Sequence, residues 1–458
     1  MKKKSILLTF IVLVLCTLLL SPMPAKAQDP DTEVFIVDTF QDLVDYHPNG
    51  ICSVGQTSGG PCSLRAAVTE ASQVMVMGRN LHIQLPYGTY VLTQNDPSSG
   101  EDAYYGDLDL EDLPGSFSGN ELTVTIEGMG IEPSVIDANG IDRVLQIGEY
   151  YNVILKNLVI TGGKVVANYD ERGEGGGILK GQLSTLELNK VRVTDNEIVC
   201  NNCISSSGGG IETVHKTTII NSEIDHNTAR IGSAISHTSY DHPLYIRNSS
   251  IHSNYMDEGR VLDGLGLLLN LVNSTMEGEI HWRNGDVWIQ NSTLRNSTQS
   301  INAYANIWMN GVSGTLHLKI KNSILITQAY NDPAQRGGPN CRFTYLYITK
   351  ESFGGNVFSD NTCPFDYSRD IRVDSPLDAR LGPLQNNGGR TPTRALLPGS
   401  PAIDIRNGLC QILLGTPAKP SSSLLLEDQR RVDRDLKCDS GAFEDWPPAF
   451  TLLPMILR

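Results

Sequence analysis

Leu269-Asn270-Leu271-Val272-Asn273-Ser274-Thr275-Met276 is followed by Val287-Trp288-Ile289-Gln290-Asn291-Ser292-Thr293-Leu294, the same phrase eighteen residues later. Each has aliphatic residues four and two places before an Asn and another apolar residue three places after it. The phrase recurs around Asn157, Asn221, Asn248 and Asn322, with Thr217 as the single polar exception among its apolar slots. A seventh copy keeps Leu186, Leu188 and Val193 in register. There Lys190 takes the Asn slot and Asn189 lies one residue early. The steps between slots are 33, 31, 27, 25, 18 and 31 residues. Alternating apolar residues before the Asn mark a strand with one buried face. Steps of this length are too long for hairpins and suit one turn of a solenoid.

The expected fold is therefore all-β, a parallel β-helix, right-handed by the crossover preference. Stacked turns would align the aliphatics into inward ladders. A buried, unpaired amide costs about 1–3 kcal/mol, so six Asn at one slot imply a continuous hydrogen-bonded ladder pointing into the coil. A sandwich of unrelated strands has no reason to keep Asn at one slot. The sequons at Asn248, Asn273 and Asn291 would then be closed to a glycan, while Asn296 is read as more open. Asn196, Asn227 and Asn254 share a second slot and predict a second, shorter ladder. Gly175-Gly176-Gly177, Gly208-Gly209-Gly210 and the weaker Gly232-Ser233-Ala234 read as tight corners entering strands. A phosphate loop would need a following Lys-Ser/Thr and a helix.

Residues 1–27 have the form of a secretory signal: Lys2–Lys4, an apolar run from Ile6 to Leu20, and Ala25-Lys26-Ala27. The full chain carries a formal charge of −15 from 36 basic and 51 acidic residues. Cleavage removes four lysines and no acid, leaving 32 against 51, or −19. That balance argues against nucleic acid. No segment of the mature chain is long and apolar enough to span a bilayer. Eight cysteines remain and fall into neighbouring couples: Cys52 with Cys62, Cys200 with Cys203, Cys341 with Cys363, Cys410 with Cys438. Export favours disulfides, and proximity favours these four pairings among the 105 that eight cysteines allow. The expected location is secreted or on the extracellular cell surface, as a monomer.

Three segments carry a resemblance. Cys62-Ser63-Leu64-Arg65-Ala66-Ala67-Val68 resembles the CSLREA motif near the start of exported bacterial β-helix proteins, with Ala66 where the motif has Glu. Val34–Asp38, Ile83–Tyr90 and Gly106–Leu110 are similar to segments around it. Leu381–Gly389, Thr391-Pro392-Thr393, Leu397–Asp404, Asp428-Gln429-Arg430 and Cys438–Glu444 resemble the choice-of-anchor Q domain. Ser440 and the Arg431–Arg434 stretch depart from its usual form. The resemblance implies a surface or secreted β-helix protein and brings no established activity. The chain is expected to divide into a signal (1–27), an N-terminal cap over the open end of the coil with one short helix from Leu64 to Ala71 (28–95), the coil (96–370), an anchor-type module (371–445) and an apolar tail (446–458).

Candidate sites are few. Lys156, Arg247, Gln290 and Lys321 each precede an Asn slot and should face outward, where Lys156, Arg247 and Lys321 would form a basic strip for an acidic glycan; the competing reading is a solvated strand face. Asp107, Asp109, Glu111 and Asp112 alternate near the first coil, and such oxygens suit calcium; the competing reading is an exposed acidic loop. Asp225-His226-Asn227 resembles a fragment of pectate lyases, but its repeat slot reads first as a coil corner. No catalytic residue is assigned. The expected function is non-catalytic binding of extended polysaccharide or another cell-envelope polymer. The alternative is a carbohydrate-active enzyme, a polysaccharide lyase or glycoside hydrolase acting on acidic glycans.

Overall fold

Three long sheets, each built only of parallel pairs, wrap the chain into a parallel β-helix. The computed structural model describes residues 31–54, 59–95, 104–114, 122–255, 260–296, 305–311, 316–327, 338–344, 347–366, 368–416 and 419–445. The signal-type segment 1–27 and the tail 446–458 lie outside the described residues. Sheet I has eleven strands, from Thr32–Ile36 to Ile348–Ser352. Sheet II also has eleven, from Thr89–Val91 to Ile371–Arg372. Sheet III has nine, from Leu108–Leu110 to Cys341–Phe343.

The apolar slots stack as their spacing requires. Val153, Leu186, Thr217, Leu244, Leu269, Val287 and Leu318 share one column of sheet I. Leu155, Leu188, Ile219, Ile246, Leu271, Ile289 and Ile320 share the next inward column, and nearly all have no solvent exposure. Ile160, Val193, Ile224, Ile251, Met276, Leu294 and Leu325 do the same in sheet II. Thr217 tolerates the interior because its hydroxyl bonds Thr213 Oγ1 at 2.6 Å and donates to the His215 carbonyl at 3.0 Å. One apolar cluster runs from Phe35 to Cys363.

The corner between sheets I and II explains the Asn. Asn157, Asn221, Asn248, Asn273, Asn291 and Asn322 all have φ between 47° and 52°, and Lys190 has φ 62°. Among residues with a Cβ, Asn enters this left-handed region most readily, because its short amide can bond locally. The backbone bend therefore selects Asn at each turn. The next corner repeats the device one residue earlier: Asp195, His226 and Ser253 have positive φ. Asn196, Asn227 and Asn254 follow them and form the second ladder, fully enclosed. Asn196 Nδ2 donates to Asn227 Oδ1 at 2.9 Å, and Asn227 Nδ2 to Asn254 Oδ1 at 3.1 Å.

The first ladder is corrected in direction and continuity. The inward residue at that corner is the following serine. Ser222, Ser249, Ser274 and Ser292 each receive a backbone N–H from the turn before and are buried. The Asn amides instead lie on the outside of the coil, since residues of the C-terminal module reach them from there. Amide links join Asn221, Asn248 and Asn273 at 3.3 and 2.8 Å, and Asn291 with Asn322 at 3.3 Å. Between Asn273 and Asn291 the file is broken: Asn291 donates to the Gln411 carbonyl, and Asn273 Oδ1 accepts from Arg434. Asn189 restores one rung despite its offset, accepting from Asn221 at 3.5 Å. Asn296, read as the open sequon, is buried.

The glycine clusters are corners. Gly175, Gly208 and Gly232 have positive φ, and the strands Ile178–Lys180, Ile211–Thr213 and Ile235–Thr238 start three residues later. A Cβ on Gly176 would lie 2.4 Å from the Gly209 carbonyl oxygen, so stacked turns leave no room for one.

The four disulfides pair as expected: Cys52–Cys62, Cys200–Cys203, Cys341–Cys363 and Cys410–Cys438. At the N-terminal end two short helices, Leu64–Thr69 and Ala71–Val76, stand where one was expected. Ser63 caps the first, accepting from Ala66 N at 3.0 Å. The cap is not separate from the coil at residue 95, because Thr32–Ile36 and Asn80–Leu85 already belong to sheet I. Buried Arg65 fixes the junction: it pairs with Asp42 at 2.8 Å and donates to the Gly106 and Asp107 carbonyls.

Beyond Ile371–Arg372 the chain changes character, to antiparallel hairpins. This module folds back along the coil. Its strands Gln411–Thr416 and Lys419–Leu424 lie over the outer face of sheet I, where Leu413 packs with Leu268 and Trp288.

Candidate functional site

The module's arginines read the Asn corner. Arg390 donates to Asn157 Oδ1 at 2.9 Å and Arg431 to Asn221 Oδ1 at 3.0 Å. Arg434 donates to Asn273 Oδ1 at 2.9 Å, and its other nitrogen pairs with Glu444 at 2.7 Å. Arg434 and Glu444 are both almost wholly buried. Burial lowers the affinity of Arg434 for its proton and pushes Glu444 up to about 7, and their mutual attraction opposes both. Gln429 joins the module to sheet II: Thr275 Oγ1 donates to its Oε1 at 2.7 Å, and its amide donates to Thr391 Oγ1. Arg394 pairs with Glu277 on the same sheet.

The proposed basic strip occupies one outward column of sheet I. Lys156, Asn189, Ile220, Arg247, Val272, Gln290 and Lys321 follow one another in register. Its lower end is covered. Gln290 has no exposure and donates to the Leu413 carbonyl, and Lys321 is 6% exposed and donates to Gln411 Oε1. Burial, with the charge of Arg406, lowers the Lys321 pKa. Lys321 therefore cannot serve as a glycan contact in this arrangement. Lys156 and Arg247 remain open to solvent.

Each open cation lines a cleft at the edge of the module. One, of about 360 Å³, is walled by Lys156, Lys190, Arg390, Asn157, Asn189 and Glu127. The other, of about 430 Å³, is walled by Arg247, Arg431, Asn248, Glu427 and Leu424–Leu426. Lys156, Lys190, Arg390 and Arg247 have no ion-pair partner among the described residues, whereas Glu127 is engaged by His82 at 3.0 Å. Arg431 pairs with Glu427 at 3.3 Å. Lys156 and Arg247 are three turns apart, about 14 Å at the usual strand spacing. Lys190 was visible in the sequence only as an irregular Asn slot. Arg390 and Arg431 carried no signal, because they lie more than 200 residues from the Asn they meet.

The acidic set near the first coil does not assemble. Asp107 is buried against Arg143 at 3.3 Å, and desolvation and Asp109 push its pKa up. Asp112 is used by the Glu149 amide at 2.7 Å. Asp109 faces outward opposite Gln146, and Glu111 is exposed. Among the described residues, the one group of three whose donor atoms converge as a metal site would need is Glu223, Asp225 and His252.

No family model, curated protein or solved structure matches this chain.

Proposed function

We propose that this protein is an exported binding protein, secreted or held at the cell surface, that grips an extended acidic polymer such as a uronic-acid polysaccharide without turning it over. The observation that carries this reading is the pair of clefts. In a chain with a net charge of −15, Lys156 and Arg247 stand in one outward column without an ion-pair partner among the described residues, each lining a cleft with further cations; the clefts lie about three turns apart, so a linear polyanion can occupy both. Charges spaced along a groove attract a polyanion over distances near the Debye length and so give salt-dependent association. Export is supported by the signal-type N-terminus and by four disulfides. Among the described residues no helix is long and apolar enough to cross a membrane.

The test is a panel of acidic and neutral polysaccharides assayed for retention and for unsaturated products. Retention of acidic members, weakened by salt and by Lys156→Glu with Arg390→Glu, supports the reading. Equal retention of neutral members removes it.

A second reading has one observation in its favour. On the outer face of sheet II, Asp225 meets His226 Nδ1 at 2.5 Å and Glu223 meets His252 Nε2 at 3.0 Å, beside the exposed Arg192. Two carboxylate–imidazole pairs next to a cation are the parts of an acid–base site for an acidic glycan. Product formation in the same panel, lost in His226→Gln, moves the assignment to a lyase.

A further inference from the structure

The same face of sheet II carries a donor set that polymer binding does not need. Arg192, Glu223 and Ser250 stand in one register column, and Thr194, Asp225 and His252 in the next. Ile224 and Ile251, between them, point into the core, so these side chains face outward. A ring nitrogen of His252, a Glu223 oxygen and an Asp225 oxygen all lie within 4.8 Å of one another, and Nε2 is the nitrogen that meets Glu223, at 3.0 Å. The imidazole is oriented from its far side, with Nδ1 3.1 Å from Ser253 Oγ.

A second observation concerns Ser250. Its side chain is fully buried, directly opposite Glu223 in register and on the same face of the strand as His252. Its hydroxyl has no hydrogen-bond partner among the described residues. An unpaired buried hydroxyl costs about 1–3 kcal/mol, so its persistence beside three convergent donors calls for a partner.

We propose that this face binds one divalent transition-metal ion of the zinc class, through His252 Nε2 and the carboxylates of Glu223 and Asp225, with the Ser250 hydroxyl hydrogen-bonded to a water on the ion. One imidazole with two carboxylates suits zinc, cobalt or manganese; calcium takes oxygen donors alone. Asp225 is held from behind by Arg192, at 2.9 and 2.6 Å, and by His226 at 2.5 Å. Outer partners of this kind fix a ligating carboxylate in place. Two carboxylates and one guanidinium leave the set at −1, which a dication reverses. The ion can enter, since the Glu223 and His252 side chains keep 18% and 10% exposure.

The test uses the full chain, stripped with a chelator and titrated with zinc chloride by calorimetry, then with cobalt for its visible absorption bands. The expected result is one zinc per chain and a cobalt spectrum carrying nitrogen ligation. His252→Gln and Glu223→Gln should each weaken zinc at least tenfold with unchanged melting curves. His226→Gln should weaken it less, because it acts through Asp225. The half-buried pair His215 and His242, with rings 3.4 Å apart, is the competing zinc binder. His242→Gln must therefore leave stoichiometry and affinity unchanged. No zinc heat at millimolar ion, zinc binding that survives His252→Gln, or a response to calcium alone would each overturn the assignment.

Discussion

At the residue scale, the corner Asn does two jobs that substitution can separate. Asn273 supplies a left-handed backbone at φ 52° and amide bonds to Asn248, Glu427 and Arg434. Gly at this position removes only the amide, at about 1–3 kcal/mol for the polar groups left unpaired. Ala loses the amide and also meets the left-handed penalty of about 1–2 kcal/mol. We expect Asn273→Ala to be less stable than Asn273→Gly in urea melts; equal losses would mean the bend is not what selects Asn. A second residue sets a pH dependence. Glu212 is enclosed on the outer face of sheet III, where desolvation pushes its pKa up to about 8 from 4.5. A carboxyl whose folded pKa is raised stabilises fully below its unfolded value, and that contribution is lost as pH rises through the folded value. The stability of the wild type relative to Glu212→Gln should therefore fall between about pH 4.5 and pH 8, as melting temperatures across that range will report.

At the element scale, a buried ion pair inside the module carries one of its links to the coil. Arg434 bonds Glu444, the Gly441 carbonyl and Asn273 without solvent. Removing one partner of a buried pair leaves the other charge desolvated, at about 3–5 kcal/mol. Arg434→Ala should lose about that much, with hydrogen exchange rising first across 419–445. The coil itself was legible, because period-2 strands and a fixed Asn slot report local geometry repeated at every turn. The disulfide couples were legible for the same reason: each partner lies within 28 residues of the other. The direction of the amides was not. The αL slot alone does not tell which side the amide takes, and the arginines that meet three of the outward amides arrive from 161 to 233 residues away. The covering of Lys321 was hidden likewise, since Gln411–Thr416 has no periodic relation to the column it overlies.

At the scale of the molecule, coil and module differ in how they cohere. The coil has one core running from Phe35 to Cys363, whereas the module reaches it through three smaller clusters that borrow Val272, Trp288 and Ile324 from sheets I and II. In a stacked array stability is a sum of local units and interfaces, so a weakly attached unit can leave first. The Cys410–Cys438 bridge, closing 28 residues beside Val272, is the covalent restraint on that unit. Replacing both cysteines by Ser should cost about 3–4 kcal/mol for a loop of this size. The loss should fall on the module, with amides in 371–445 exchanging early while those of 122–255 stay protected. Arg390 and Arg431 supply one wall of each cleft and belong to the departing unit. Loosening the bridge should therefore reduce retention of acidic polysaccharide under conditions where the coil remains folded. If module and coil instead unfold in a single coincident transition, or if retention survives while 371–445 exchanges freely, the clefts do not depend on the module as their walls require.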